Sequence, residues 1–220
     1  MLAPGHIPPV LGAVSILAIA VGAGASGALN QWYDADIDAI MSRTKKRAFA
    51  TGEIKPGPLW LVAIIALMAL SVGAAWLALN AWSALYVFLG GFFYAVVYTV
   101  WLKRRTWLNI VIGGAAGSFA VLAGAAAADP GLSPESALLA VVLFLWTPPH
   151  FWSLAIAAHD DYAAAGVPML PVVTSNSLTA RVIFAHTALL VTLSLLPAFW
   201  SMGHVYLAGA AAGGAVFLWT

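Results

Sequence analysis

Asn30, Asp34 and Asp38 stand four residues apart in the stretch Asn30-Gln-Trp-Tyr-Asp34-Ala-Asp36-Ile-Asp38-Ala-Ile-Met-Ser-Arg43-Thr-Lys45-Lys46-Arg47. On a helix that spacing stacks the three side chains on one face and turns Asp36 roughly to the other side. Two stacked carboxylates repel each other by roughly a few tenths of a kcal/mol even on an exposed helix. If the helix of the preceding apolar run continues through them, they also lie at its C-terminus, where the macrodipole disfavours anions. A positive charge is expected between them. A hard divalent cation such as Mg²⁺ fits, because it takes one or two carboxylates, keeps several waters and completes its shell with phosphate oxygens. The cations one or two turns later, Arg43 to Arg47, would face the same phosphate, and Arg suits bidentate capture. A merely solvated loop would account for the cations and leave the carboxylate register unexplained.

The composition says where such a site must sit. Hydrophobic residues make up 63% of the 220, charged residues only 8%, and the mean hydropathy is +0.95, which excludes a soluble domain and predicts an all-α polytopic membrane protein. The absence of cysteine removes disulfides, thiolate metal sites and Cys nucleophiles from consideration. No extended basic surface supports nucleic-acid binding.

Apolar runs predict seven spans, at about 10–33, 58–79, 81–101, 107–127, 136–158, 180–199 and 204–219. The charge-free run 57–102 is too long for one crossing and suits two, with a turn near Asn80. Gly113 with Gly117, and Gly209 with Gly213, have the spacing of helix-packing faces. Trp146-Thr-Pro148-Pro149-His150 predicts a break or kink in the fifth span. The stretch from His159 to Ser177 reads as a loop lying at the interface, because Gly166, Pro168 and Pro171 oppose a spanning helix. The predicted last break falls near Ser201 to His204.

Alternation of these spans puts all nine Lys and Arg residues on one side and none on the other. The positive-inside rule makes that side cytoplasmic, with the N-terminus outside. Asp160 and Asp161 lie at a helix end on that same side, as Asp34 and Asp38 do, and Lys103-Arg104-Arg105 would rim the same cleft. Such a cleft, with two acidic walls and a cationic rim, suits a metal-diphosphate whose lipid tail lies among the spans. An ion transporter would place its ionisable groups nearer mid-span. His150, inside a span, is either functional or a neutral side chain bonding the carbonyls freed by Pro148 and Pro149.

Several motifs resemble those of the UbiA superfamily of intramembrane prenyltransferases, and within it the branch that farnesylates protohaem IX to haem O. They are Asn30-xxx-Asp34-xxx-Asp38 with its extension to Arg43-Thr44; Tyr98-Thr-Val-Trp-Leu-Lys103-Arg104-Arg105-Thr106 with Asn109-Ile-Val-Ile-Gly113-Gly114; Pro149-His150-Phe151-Trp152; and Asp160-Asp161-Tyr162 running to Pro168-Met-Leu-Pro171. The first motif marks the superfamily, the last two its haem branch. The resemblance implies a nine-helix bundle of which this chain holds about seven, so residues 1–220 are expected to be one prenyltransferase domain, a fragment lacking the first and last helices. It further implies Mg²⁺-dependent transfer of farnesyl from farnesyl diphosphate to a vinyl group of haem B. Asn30, Asp34, Asp38, Asp160 and Asp161 would be catalytic, the four aspartates holding metal, and Arg43, Arg47, Lys103, Arg104, Tyr162 and His150 would bind substrate. The implied setting is the cell inner membrane with the active site facing the cytoplasm, and the implied partners are the bilayer and a haem A synthase or terminal oxidase assembly. An aromatic or chlorin acceptor is the alternative, which the Asp36-Ile-Asp38 and Pro168-Met-Leu-Pro171 stretches oppose. Ala48, Ala120-Val121 and Ala157-Ala158-His159 depart from residues usual in the family.

Overall fold

The structure, a computed structural model, describes residues 7–200 and 202–219, so Met1 to His6, Ser201 and Thr220 lie outside it. All regular structure among the described residues is helical. The spans are α1 (Pro9–Tyr33), α4 (Pro58–Ala78), α5 (Ala81–Phe92) prolonged by the π-helix π1 (Phe93–Leu102), α6 (Asn109–Gly113) with α7 (Ala115–Ala128), α8 (Pro134–Ala157), α11 (Asn176–Leu195) and α12 (Gly203–Trp219). Four short helices join them at one end: α2 (Ala35–Ile40), α3 (Ala48–Thr51), α9 (His159–Ala164) and α10 (Leu170–Val173). Six of these spans are long and apolar enough to cross a bilayer, and α12, at 17 residues, reaches the lower limit.

Local chemistry sets the ends. Pro9, Pro58 and Pro134 occupy first helical positions, where proline loses no hydrogen bond. Asn80, Ser133 and Ser175 cap α5, α8 and α11, each accepting an N–H three residues on. Asn80 therefore makes the turn expected there, and its Nδ2 also donates to Ala126 O at 2.7 Å.

In the bundle α1 packs on α4, α5 and α7, α7 also on α8, and α8 on α11, which carries α12. Small residues and hydroxyls bring the helices close. Ser71 Oγ donates to Ala18 O at 2.6 Å and Ser83 Oγ to Ala123 O at 3.0 Å, within a buried cluster of Ala18, Ala75, Ala84, Val87 and Ala123. Large apolar side chains such as Leu59, Leu77 and Val205 remain exposed on the outer surface, which suits lipid.

Four expectations are corrected. Gly113 and Gly117 do not form one packing face: the helix is interrupted at Gly114, Gly113 abuts the Tyr98 ring and Gly117 abuts Leu143. A side chain at Gly209 or Gly213 would meet nothing within 4 Å, and the tight approach of α12 to α11 is instead at Gly214, against Val191. Pro148 and Pro149 do not break α8, which runs through both. The segment 159–177 is not an irregular loop. Its α9 ends in a Schellman turn, with Gly166 at φ +66° and N–H bonds from Gly166 to Ala163 O and from Val167 to Tyr162 O. That turn folds Val167, Met169 and Leu170 into the second buried cluster, with Ile37, Met41, Trp152 and Tyr162.

Candidate functional site

The α1 helix does not continue unbroken through the acidic motif. It ends at Tyr33, Asp34 takes φ −96° and ψ 16°, and α2 starts at Ala35. Backbone bonds from Asp34 N to Asn30 O (2.9 Å) and from Asp38 N to Asp34 O (2.8 Å) nevertheless keep the four-residue register. Asn30, Asp34 and Asp38 are thus buried together, while the Asp36 side chain is 64% exposed on the other side. The break removes only part of the expected electrostatic cost, since Asp34 remains the C-cap of α1. Asp36 and Asp38 stand in the first turn of α2, not in the last turn of a longer helix.

Each of these carboxylates has a cation. Asp34, wholly buried, accepts from Lys103 Nζ at 2.5 Å, Asn30 Nδ2 at 2.8 Å and Arg104 Nη2 at 3.1 Å. Arg104 also grips Asp36 with both nitrogens, at 2.6 and 2.7 Å, and lies over the Tyr33 ring. This contact holds the Asp36 carboxyl below its usual pKa and raises that of Arg104. Arg47 Nη1 meets Asp38 Oδ2 at 2.8 Å. Arg43, Lys45 and Lys46 are exposed, so of the basic run only Arg47 meets the acidic motif directly.

The elements explain how these partners meet. In π1 each bond reaches five residues back, as in Lys103 N to Tyr98 O at 2.8 Å. Thr99, within π1, accepts the second Asn30 Nδ2 hydrogen at 3.2 Å and donates to Tyr94 O. Asn109, fully buried, donates to Lys103 O at 3.0 Å and fixes the turn from which Lys103 and Arg104 extend. The sequence reading did not give Thr99 or Asn109 a place in the site. The signal was available for Asn109, a lone amide six residues past the cationic rim.

The second acidic pair repeats the architecture of the first. The helix α8 ends at Ala157, Ala158 takes φ −113° and ψ 32°, and α9 opens with Asp160 and Asp161 in its first turn. Asp161 Oδ2 accepts both the backbone N–H of Ser42, at 2.9 Å, and the Ser42 hydroxyl. Ser42 stands four residues past Asp38, so it ties the two acidic segments together, a role the sequence reading missed. Asp160 is open to solvent, beside His159 Nδ1 at 3.2 Å. Tyr162 is buried in the cluster that includes Ile37 and Met41, and so anchors α9 against α2. His150 is exposed on α8, its ring stacked on Trp146 at 4.3 Å and edge-on to Phe151.

No three His, Cys, Asp or Glu side chains converge among the described residues, so a metal here would draw at most two protein carboxylates. The donor set fits Mg²⁺ in that mode. Among the described residues Asp38 Oδ1 has no protein donor and Asp34 Oδ1 has one, which leaves hard oxygen lone pairs for a cation whose remaining ligands would be water and phosphate.

Two cavities lead away from this charged end. One of about 190 Å³ is walled by Tyr94, Tyr98, Gly113, Thr147 and Phe151. The other, of about 340 Å³, lies between α1, α5 and α7 and shares Tyr94, Ala116 and Gly117 with the first. Gly27 lines it one helical turn before Asn30.

The UbiA prenyltransferase family profile matches residues 1–220. Protoheme IX farnesyltransferase 2 of Paramagnetospirillum magneticum is 58% identical over 217 residues, 98% of this chain and 75% of that one. Protoheme IX farnesyltransferase of Rhizobium etli is 50% identical over 220 residues, all of this chain and 69% of that one. Among solved structures, a UbiA homolog from Archaeoglobus fulgidus bound to GPP and Mg²⁺ superimposes with a TM-score of 0.81 at 19% identity, covering 98% of this chain and 76% of its own.

Proposed function

Because this chain belongs to the UbiA prenyltransferase family, we propose that it transfers the farnesyl group of farnesyl diphosphate to a vinyl group of protohaem IX, giving haem O and diphosphate. The observation that carries the chemistry is the buried Lys103–Asp34 pair, with Asp38–Arg47 beside it, where apolar cavities open into the bundle. The relatives named protoheme IX farnesyltransferase support the acceptor.

The residues divide the work by charge. Asn30 holds Asp34 in place, and Asp34 and Asp38 are the residues that would hold Mg²⁺, with Asp160 and Asp161 serving the second wall. Mg²⁺ bound there would supply positive charge against the diphosphate as the C–O bond breaks. The solved relative with GPP and Mg²⁺ supports this requirement. Lys103, Arg104 and Arg47 already surround the carboxylate cluster, so they stand beside the place an arriving diphosphate would take and would stabilise the charge that develops on it. Arg43, exposed beside them, guides the same anion. The C–O bond breaks, the vinyl carbon attacks farnesyl C1, water captures the cation left on the porphyrin side and loses a proton, and diphosphate leaves. Tyr94 and Tyr98 line the smaller cavity, where aromatic side chains would shelter the allylic cation. His150 and Trp146 offer a flat aromatic surface for the porphyrin outside that cavity. The concentration of basic residues at this end supports a site on the cytoplasmic face of the inner membrane. The product suits a haem A synthase or terminal oxidase assembly.

The test is expression in bacterial membranes lacking their own haem O synthase, with haem B, farnesyl diphosphate and Mg²⁺ supplied and haem O sought by mass. Haem O that disappears with EDTA and with Asp34→Asn is the expected result. Transfer to a different acceptor, or product insensitive to both changes, would overturn it.

A further inference from the structure

We infer that the cavity between α1, α5 and α7 is a length gauge, with Ile19, Tyr86 and Ala120 as the floor that matches the site to a fifteen-carbon prenyl donor. The inference rests on the prenyl-transfer reading and adds which residues choose the donor. From Asn30 to Ile19 is eleven residues of continuous α1, or about 16 Å at the helical rise. From Tyr98 to Tyr86 on the facing wall is a similar distance. An extended farnesyl chain measures roughly 14 Å from carbon–carbon bonds of about 1.5 Å. A geranyl chain would stop short of the floor and a geranylgeranyl chain would overrun it.

The floor is built to resist a longer chain. Ile19 and Tyr86 pack against a buried cluster that includes Ala18, Ala75, Ala84 and Ala123, none of which lines the cavity. There the helices are pinned by Ser83 Oγ on Ala123 O and Ser71 Oγ on Ala18 O, so they do not part easily. The Tyr86 ring is braced between Trp82 at 6.5 Å and Phe119 at 6.3 Å. Gly27 and Gly90 also line the cavity, and at Gly27 a side chain would meet nothing within 4 Å, which leaves that wall open to a polyisoprene.

The full chain in detergent with Mg²⁺ is titrated with non-hydrolysable S-thiolodiphosphates carrying ten-, fifteen- and twenty-carbon tails, and haem transfer from the matching diphosphates is read by mass. The wild type is expected to bind the fifteen-carbon analogue most tightly. Ala120→Phe should shift preference at least tenfold toward the ten-carbon tail, and Ile19→Ala with Tyr86→Leu at least tenfold toward the twenty-carbon tail. Variants that melt like the wild type yet keep its order of affinities, or a wild type indifferent to length, would overturn the gauge. Because binding does not involve the acceptor, an intact length order without haem product would overturn the farnesyl-to-haem reading and leave the gauge standing.

Discussion

Replacing Asp34 by Asn should destabilise the protein more than replacing its partner Lys103 by Met, although either change breaks the same ion pair. In Asp34→Asn, Lys103, whose side chain is only 9% exposed, is left without a carboxylate, while Arg104 retains Asp36. Removing one member of a buried pair and stranding the other costs about 3–5 kcal/mol. In Lys103→Met, Asp34 still accepts from Asn30 and Arg104, so the loss is nearer that of one charge-assisted hydrogen bond, about 1.5–3 kcal/mol. For a chain of this size about 1 kcal/mol moves the melting temperature by about 2–4 °C, so Asp34→Asn should melt roughly 6–20 °C lower and Lys103→Met roughly 3–12 °C lower. The double variant strands no charge and should melt above Asp34→Asn alone. Thermal melting of the four proteins in one detergent, with fluorescence and scattering followed together, tests the order. Equal melting of the two single variants, or a double variant that falls by their sum, would show that Lys103 is not held by Asp34 in the folded protein.

Ser42 and Asp36 give two further tests. Ser42→Ala removes the hydroxyl that Asp161 accepts and keeps the backbone N–H, so donor KM should rise about fivefold, in line with one hydrogen bond of about 1 kcal/mol; Ser42→Pro removes both donors and should raise it further, and steady-state kinetics with farnesyl diphosphate would show either. Asp36→Asn should cost less than about 1 kcal/mol because the pair with Arg104 is largely exposed. Arg104 lowers the Asp36 pKa from its ordinary 3.8, so this contribution is complete above that pH and is lost as pH falls through the lowered folded value. Melting curves of wild type and Asp36→Asn should therefore differ by a constant amount at neutral pH and converge in strong acid.

The spans were legible because their ends are written in local chemistry. Proline at a first helical position and a capping Asn or Ser fix a boundary whatever lies around it, and the uniform apolar stretches between such signals admit one reading in lipid. Packing partners were less legible. The spacing Gly209-xxx-Gly213 states that a helix has a smooth face and not that another helix covers it, and α12 met α11 one residue later, at Gly214. The segment after Asp161 was misread for a related reason. Gly166, Pro168 and Pro171 argue correctly against a spanning helix, but they serve equally to fold a short segment back, and only the cluster of Val167, Met169 and Leu170 against Met41 and Trp152 separates the two outcomes.

At the site, the sequence located the carboxylates and both groups of cations around them, but not which cation holds which carboxylate, and the reason lies in the backbone of π1. Sequence proximity favoured the run Arg43 to Arg47, yet Asp34 is held by Lys103 and Arg104, seventy residues away. In an α-helix nine residues make two and a half turns, so Tyr94 and Lys103 would face opposite sides. With bonds five residues back, nine residues make about two turns, and the cavity-lining Tyr94 and the Asp34-bonded Lys103 come onto one side. The residues of Phe93–Leu102 are apolar and suit either winding, so the periodicity of the sequence carries no mark of the wider one. What holds it is tertiary: Asn30 occupies Thr99, Asn109 fixes the carbonyl of Lys103, and the Tyr98 ring packs over Gly113, where any side chain would meet it. The cation that completes the buried site is therefore positioned by contacts from two other segments of the chain, α1 and α6, and changing Asn109 or Gly113 should disturb Lys103 although neither touches a carboxylate.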